Sequence, residues 1–281
     1  MKARRLHRRL FALYVLAFFL FMLLPLLVTA GAALNDSAFP SVLPWKGFTG
    51  HWFAVLFADA KMWNAGRNTL LVAIVVVVLA VPIGTAGAIL VNGIHPHLRR
   101  SLYGLLITPI LMPGIVIGIA TFLFWNRLGV SAGLHLSVLG QVSFIASYAM
   151  LLVLARLQSF DPALEEAALD LGASHARMVR RVLIPHLRPA LVAAALLGFF
   201  QSVENFNVTA FTAGGAHTLT TYVYSRTRSG ADPSINALAL ILIVIALVIA
   251  LIYESRRRRI LRRLVRERQA TGESARAANP G

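Results

Sequence analysis

Six apolar stretches constrain any fold this chain can adopt. They run from Leu10 to about Ala33, Asn68 to Val91, Ser101 to Trp125, Leu136 to Leu157, Arg188 to Phe211 and Ile235 to Tyr253. Each approximates the roughly 20 residues a helix needs to cross a bilayer's hydrocarbon layer. No water is available there to pair backbone groups, so a crossing segment must satisfy its own hydrogen bonds, as a helix does. With 58% hydrophobic residues and a mean hydropathy of +0.72, the chain cannot hide its apolar surface in a water-soluble core. The expected fold is an all-α membrane protein with six transmembrane helices over residues 10–255. A basic N-terminus (1–9) precedes them, and a basic tail (256–281), stopped off from the last helix by Arg256 to Arg259 and expected to be disordered, follows.

The first run follows Lys2, Arg4, Arg5, Arg8 and Arg9, and Ala30-Gly31-Ala32 has the look of a signal-cleavage site. The run is longer than the roughly 7–15 residues of a signal core, so an uncleaved first helix is expected. The net charge of +16 comes from arginines gathered at the ends of spans. That is the pattern of membrane topology, so no nucleic acid is expected as a partner. Of 27 lysines and arginines, 21 fall at the two ends, at Arg99-Arg100 and between Arg156 and Arg188. Lys46, Lys61, Arg67, Arg127, Arg226 and Arg228 fall on the other side. The bias places both termini, and the segment between spans four and five, in the cytoplasm. The chain has no cysteine, which excludes disulfides and thiolate metal sites.

That segment, Asp161 to Pro189, is a polar island that reads as two short helices joined at a glycine. Asp161 is placed to cap the first helix, with Pro162 at its first position. Gly172 can supply a left-handed end, and Ser174 can cap the second helix. Pro185 and Pro189 are expected to close the unit and turn it back toward the bilayer. Glu166-Ala167-Ala168, then Gly172, then Val182-Leu183-Ile184-Pro185 resembles the EAA loop of ABC-importer permeases, with Val182 and Ile184 as mild departures. The resemblance implies a coupling segment over 158–187. In it Glu165, Glu166, Ala167, Ala168, Gly172 and Pro185 serve docking to a cytosolic ATPase. Small alanines permit close helix approach, and the acids can pair with basic groups opposite. A helix lying on lipid would carry a basic polar face; Glu165, Glu166 and Asp170 have the wrong sign.

Elsewhere the resemblance narrows toward spermidine/putrescine-type permeases. It is carried by Leu34 to Ser37, Trp45 to Thr49, Asn68-Thr69-Leu70, Thr218 to Ser225 and Asp232 to Ala237. Trp45 and Trp63 suit the headgroup belt, with a docking surface for an extracytosolic partner as the alternative. In span three, Pro109, Pro113 and Gly114 point to a helix facing the translocation path, or to a packing kink. The second half of span five places Gly198, Gln201, Ser202, Asn205 and Thr209 on one face, with Glu204 at its edge. A carboxylate at membrane depth costs roughly 3 kcal/mol or more, so Glu204 should meet water or a partner. Gln201, Ser202, Glu204 and Asn205 are the candidate substrate path. The competing reading puts Glu204 near the outer surface, or has it hold helices together through Gln201. Polyamine-type permeases carry an acidic pair here, and Asn205 stands in the second place.

The three lysines follow no glycine, so the chain has no phosphate loop. It is expected to be no enzyme and to hold no cofactor, ATP and magnesium belonging to a separate ATPase. His95, His97, His175 and His186 lack metal-ligand spacing and read as solvated loop residues. The resemblance therefore implies one permease subunit of an ABC importer in a bacterial inner membrane. Its partners would be a second permease, identical or a paralogue, an ATPase dimer and an extracytosolic solute-binding protein. The solute, polyamine-like by resemblance, would cross by alternating access. Two rivals remain. An ion-gradient-driven secondary transporter or channel would leave the EAA segment unexplained. A membrane-embedded enzyme would need clustered acids or histidines.

Overall fold

The computed structural model describes the backbone of residues 2–230 and 232–277, and the side chains of 7–8, 10–230 and 232–259. In chain order the helices are α1 (Lys2–Leu34), α2 (His51–Ala58), α3 (Ala60–Gly93), α4 (Pro96–Leu111), α5 (Gly114–Arg127) and α6 (Leu134–Leu157). After them come α7 (Pro162–Asp170), α8 (His175–Met178), α9 (Ile184–Val203), α10 (Thr209–Thr212), α11 (Leu219–Ser229) and α12 (Ser234–Ala277). A π-helical turn, Val179–Leu183, joins α8 to α9. Among the described residues five helices are long and apolar enough to cross a membrane, or six if the bent pair α4–α5 is one span. Among the described residues the only β pairing is a single bridge, Asn35 to Phe48.

The chain divides into two compact units. In the first, residues 1–58 and 226–281, α1 and α12 lie side by side and α2 packs on α12. Phe11, Phe19 and Phe21 on α1, and Val244 to Tyr253 on α12, stay largely exposed, as side chains that face lipid must be. Asn35 pins the loop after α1. Its amide donates to the carbonyls of Ser41 (2.9 Å) and Pro44 (3.1 Å), and its Oδ1 accepts from the Lys46 amide (2.8 Å). The Asn35 carbonyl accepts from the Trp52 indole at 3.0 Å. Every polar atom of this fully buried side chain is satisfied, which is what allows it to be buried.

The second unit, residues 59–225, is built on α3 and α6. Val72, Val76, Ala80, Ala88 and Val91 form a buried seam along α3, opposite Ile145, Met150 and Val153 of α6. Seams of small and β-branched residues let membrane helices approach closely, where dispersion replaces the missing hydrophobic drive. α9 completes the packing at both ends of α6 through Leu187, Ala190 and Gly198.

The structure corrects four expected boundaries. α3 begins at Ala60, not near Asn68, because Asp59 caps it by accepting from the Lys61 amide at 2.8 Å. At about 50 Å this helix exceeds the hydrocarbon thickness, and its surplus first turns carry Lys61, Asn64 and Arg67. The third span is two helices bent by 101° rather than one kinked helix. Pro113 cannot donate, and Met112 before it is extended (φ −83°, ψ 137°), so the helix ends and restarts. The loop between spans five and six holds the helix α11. Finally, Arg256 to Arg259 do not stop the last helix. Arginine is a good helix former, and Arg258 pairs with Glu254 one turn back (2.6 Å), so the apolar run ends there but the helix does not. Beyond Arg259 only the backbone to Ala277 is described. That backbone is helical, so of the 256–281 tail expected to be disordered only residues 278–281 fall outside the described backbone, as does Met1 of the 1–9 terminus.

Candidate functional site

Two places collect the candidate residues, one at each end of α9. At the first, the Asp161 carboxylate accepts from the Ala163 amide (3.0 Å) and starts α7, with Pro162 at the first helical position. Gly172 has φ +79°, and the amides of Gly172 and Ala173 turn back to the carbonyls of Leu169 (2.9 Å) and Ala168 (3.0 Å). This is a glycine-terminated helix end. Ser174 then accepts from the Arg177 amide at 3.4 Å and starts the second helix. The hairpin is therefore the one the local sequence dictates, up to its closing prolines.

Pro185 and Pro189 do not close the unit. Helix α8, the π turn and α9 form one continuous helix, His175–Val203, with Pro185 in the first turn of α9 and Pro189 inside it. Proline removes a donor and crowds the carbonyl four residues back. The wide turn ahead of it, where the Ile184 amide reaches the Val179 carbonyl, offers a looser backbone that accommodates the ring.

Helix α7 buries none of its residues. Glu166 and Ala167 are exposed, Glu165 and Ala168 half-buried, and Ala168 leans on the core cluster at the inner end of α6. Leu171, which sequence reasoning passed over, is 88% exposed at the hairpin tip. Its signal was an apolar residue directly before the turn glycine. The base of the hairpin is latched. Arg156 Nε donates to the His186 carbonyl (3.1 Å), His186 Nε2 lies 3.3 Å from the Arg156 carbonyl, and Phe160 meets the imidazole edge-on at 5.1 Å. His186 is thus a structural contact and not a solvated loop residue.

At the far end, α9 stops at Val203, with Glu204 as its C-cap (φ −83°, ψ −3°). The single polar face expected across Phe211 is therefore broken at Glu204. Gln201 is half-buried and Ser202 buried. Ser202 Oγ donates to Gln141 Oε1 (2.6 Å), while Gln141 Nε2 donates to Thr209 Oγ1 (2.9 Å). Ser137 and Thr212 share a further bond at 2.9 Å. Ser202 and Thr209 are buried here and tie α9 and α10 to α6. Sequence reasoning missed Gln141 and Ser137, whose only signal was two polar residues four apart in an apolar run. Asn205 closes the turn by accepting from the Val208 amide (3.0 Å). The turn packs where side chains are absent: Gly118 of α5 and Gly140 of α6 both abut Val208. Of the four residues expected on the path, Glu204 alone is exposed, and among the described residues no ion pair engages it.

Residues 80–266, which take in both places, match the family described as binding-protein-dependent transport system inner membrane component. The chain is 28% identical over 239 residues to the spermidine/putrescine transport system permease protein PotC of Escherichia coli K12. That match covers 85% of this chain and 90% of PotC. It is 29% identical over 233 residues to the putrescine transport system permease protein PotI of the same strain, covering 80% and 82%. In fold it is similar to a chain of a bacterial ABC transporter involved in the import of the acidic polysaccharide alginate. The TM-score is 0.70 at 21% identity, covering 92% of this chain and 99% of that one. A second likeness is to the MetNI methionine ABC transporter (TM-score 0.56, 21% identity, 74% and 97% covered). With the matched region spanning the hairpin, the continuous helix 175–203 and the last span, the chain belongs to the binding-protein-dependent inner-membrane components, the permease subunits of ABC importers.

Proposed function

We propose that the 158–187 hairpin is the cytoplasmic coupling element through which a separate ATPase dimer, holding ATP and magnesium, drives this permease. The solute we assign is polyamine-like, handed over by an extracytosolic binding protein, and a second permease, identical or paralogous, completes the pathway. The observation that carries the coupling role is the contrast within the hairpin. Helix α7 buries none of its own residues, yet its base is bonded to α6 and its second strand continues without interruption into α9. A nine-residue helix that touches the core only through its inner side, at Ala168, is marginal alone and gains most from a partner's groove. Leu171 and Leu164 would be its apolar anchors, Ala167 and Ala168 the close-approach surface, and Glu165, Glu166 and Asp170 the ion-pairing rim. Displacing the tip would move the 29-residue helix 175–203 as one lever, about 43 Å long, whose other end carries Glu204. Pushing that lever between two packed arrangements would expose the pathway to each side in turn.

The solute assignment rests on the kinship with PotC and PotI and on the charge at that far end. A helix C-terminus carries roughly −0.5 charge from its unpaired carbonyls, so a carboxylate at the C-cap is unfavourable for the helix itself. Glu204 accepts that cost while exposed and, among the described residues, without an ion-pair partner, an arrangement suited to an ammonium group. With Asn205 as its neighbour, the site offers one formal negative charge.

The two halves are tested separately in cells carrying the complete transporter. Leu171→Asp and Glu166→Lys should each cut uptake at least tenfold and loosen ATPase co-purification, with the permease still inserted. Wild-type uptake with normal co-purification would remove the docking role. Glu204→Gln should leave co-purification intact and raise the KM for putrescine about tenfold, the worth of one charge-assisted hydrogen bond. An unchanged KM would take Glu204 off the path.

A further inference from the structure

We propose that α3, α4 and α6 hold one anionic phospholipid, with its phosphate at Arg99 and Arg100 and an acyl chain in the groove further along the same helices. A cavity of about 380 Å³ lies where α3 and α6 end and α4 begins. Arg99, Arg100, Tyr103 and Gln158 supply its polar wall, and Val91 and Leu154 its apolar floor. Both outer helices are membrane spans, so this cavity sits at the edge of the hydrocarbon, at headgroup depth.

The charge there has no internal counterpart. Helices α3, α4 and α6 contain no aspartate or glutamate between them, and among the described residues no ion pair involves either arginine. Two neighbouring guanidiniums present the forked donors that match phosphate oxygens.

The second observation is independent of charge. Further along the same three helices lies a separate apolar groove of about 170 Å³, lined by Ile83, Gly87, Leu105, Leu106, Pro109 and Met150 among others. The register is continuous: Val91, Gly87 and Ile83 step by four along α3, and Leu154 and Met150 step by four along α6. Gly87 gives the groove its depth, since a Cβ there would already touch Met150 Sδ (3.5 Å) and Leu106 Cδ1 (3.6 Å). Ile83 and Leu105 form an exposed apolar rim, so the groove opens to hydrocarbon and not to water. A basic pocket between helix ends, in line with a lipid-facing groove on the same helix faces, fits a phospholipid, whereas a free phosphate would have no use for the groove.

The test uses the full chain in nanodiscs of equal phosphatidylglycerol and phosphatidylcholine, with bound lipid quantified by native mass spectrometry. Phosphatidylglycerol should be retained over phosphatidylcholine by about thirtyfold, on the order expected for two interfacial arginines. Arg99→Gln with Arg100→Gln should bring that ratio close to one. Gly87→Leu should empty the site of both lipids with the arginines intact, which tests the groove even if the double variant fails to insert. Inorganic phosphate at millimolar concentration should displace nothing. Parity between the lipids in the wild type, a preference that survives the double variant, full lipid occupancy in Gly87→Leu, or displacement by inorganic phosphate would each overturn the proposal.

Discussion

Gly84 decides how closely α3 and α6 approach. A Cβ at this position would run into the Ala146 carbonyl oxygen and lie 2.7 Å from Ala149 Cβ and 2.8 Å from the Met150 nitrogen. Two of those atoms belong to helix backbone and cannot swing aside, so a methyl group must push the helices apart. Gly84→Ala should therefore cost about 1–3 kcal/mol, the range for overpacked interiors. Gly104 of α4 has nothing within 4 Å of the same position, so Gly104→Ala should be neutral or stabilise by up to about 1 kcal/mol through helix propensity. Reversible unfolding in mixed detergent micelles measures both, and equal stabilities for the two variants would refute the close-contact account. Local chemistry was legible at single residues: the Asp161 and Ser174 side chains cap helices within three residues, and Gly172, lacking a side chain, takes the left-handed turn. Gln141 was not legible, because its partners Ser202 and Thr209 lie 61 and 68 residues further along the chain.

In the coupling role proposed for it, the hairpin would transmit force only if its base were stiffer than its tip, and Arg156 and His186 are placed to stiffen that base. Each side chain bonds the other's backbone carbonyl, with Nε2 of the imidazole as donor, which fixes the ring tautomer. Arg156→Ala with His186→Ala removes both bonds, worth about 1 kcal/mol each. Amide exchange across 158–187 should then quicken by about thirtyfold while the centre of α3 keeps its protection. Unchanged exchange in the hairpin would mean the latch contributes no rigidity. Five of the six spans were readable as elements, since a long apolar run in lipid has only the helix available to it. The break in the third was half readable: Pro113 announced a disruption, but a kink and a 101° bend share the same sequence signal. Which one forms depends on what packs against the exposed carbonyls. Here the turn after α9 packs on the second helix of the pair, with Asn207 and Val208 against Gly114 and Gly118. The same distance effect hid the end of α9 at Val203, where the polar residues of span five turn aside to bond α6.

The bent pair α4–α5 also controls the topology of the entire chain, because a crossing and a re-entrant dip differ in parity. If the pair crosses, six spans put both termini on one side, and 21 of the 27 lysines and arginines share that side with the hairpin. If the pair dips and returns, five spans put the termini on opposite sides. The N-terminal five, Arg99, Arg100, Arg127, Arg226 and Arg228 then share one face, ten in all, against 17 on the other. Basic residues in short flanking segments set orientation, and the crossing arrangement concentrates them far better. A chain without cysteine makes the question directly measurable, since any introduced thiol is the only one. Ser131→Cys, in the turn between α5 and α6, should react with a membrane-impermeant maleimide applied to intact spheroplasts. Ser159→Cys, at the base of the hairpin, should react only after permeabilisation, and a reporter fused after Gly281 should read cytoplasmic. Those two serines flank α6 and report only its orientation; parity is read from Ala38→Cys, after α1, which should label from outside together with Ser131→Cys if the pair crosses. Labelling of only one of the two from outside would make the pair re-entrant, and Ser159→Cys open from outside would put the hairpin on the wrong side of the membrane from any ATPase.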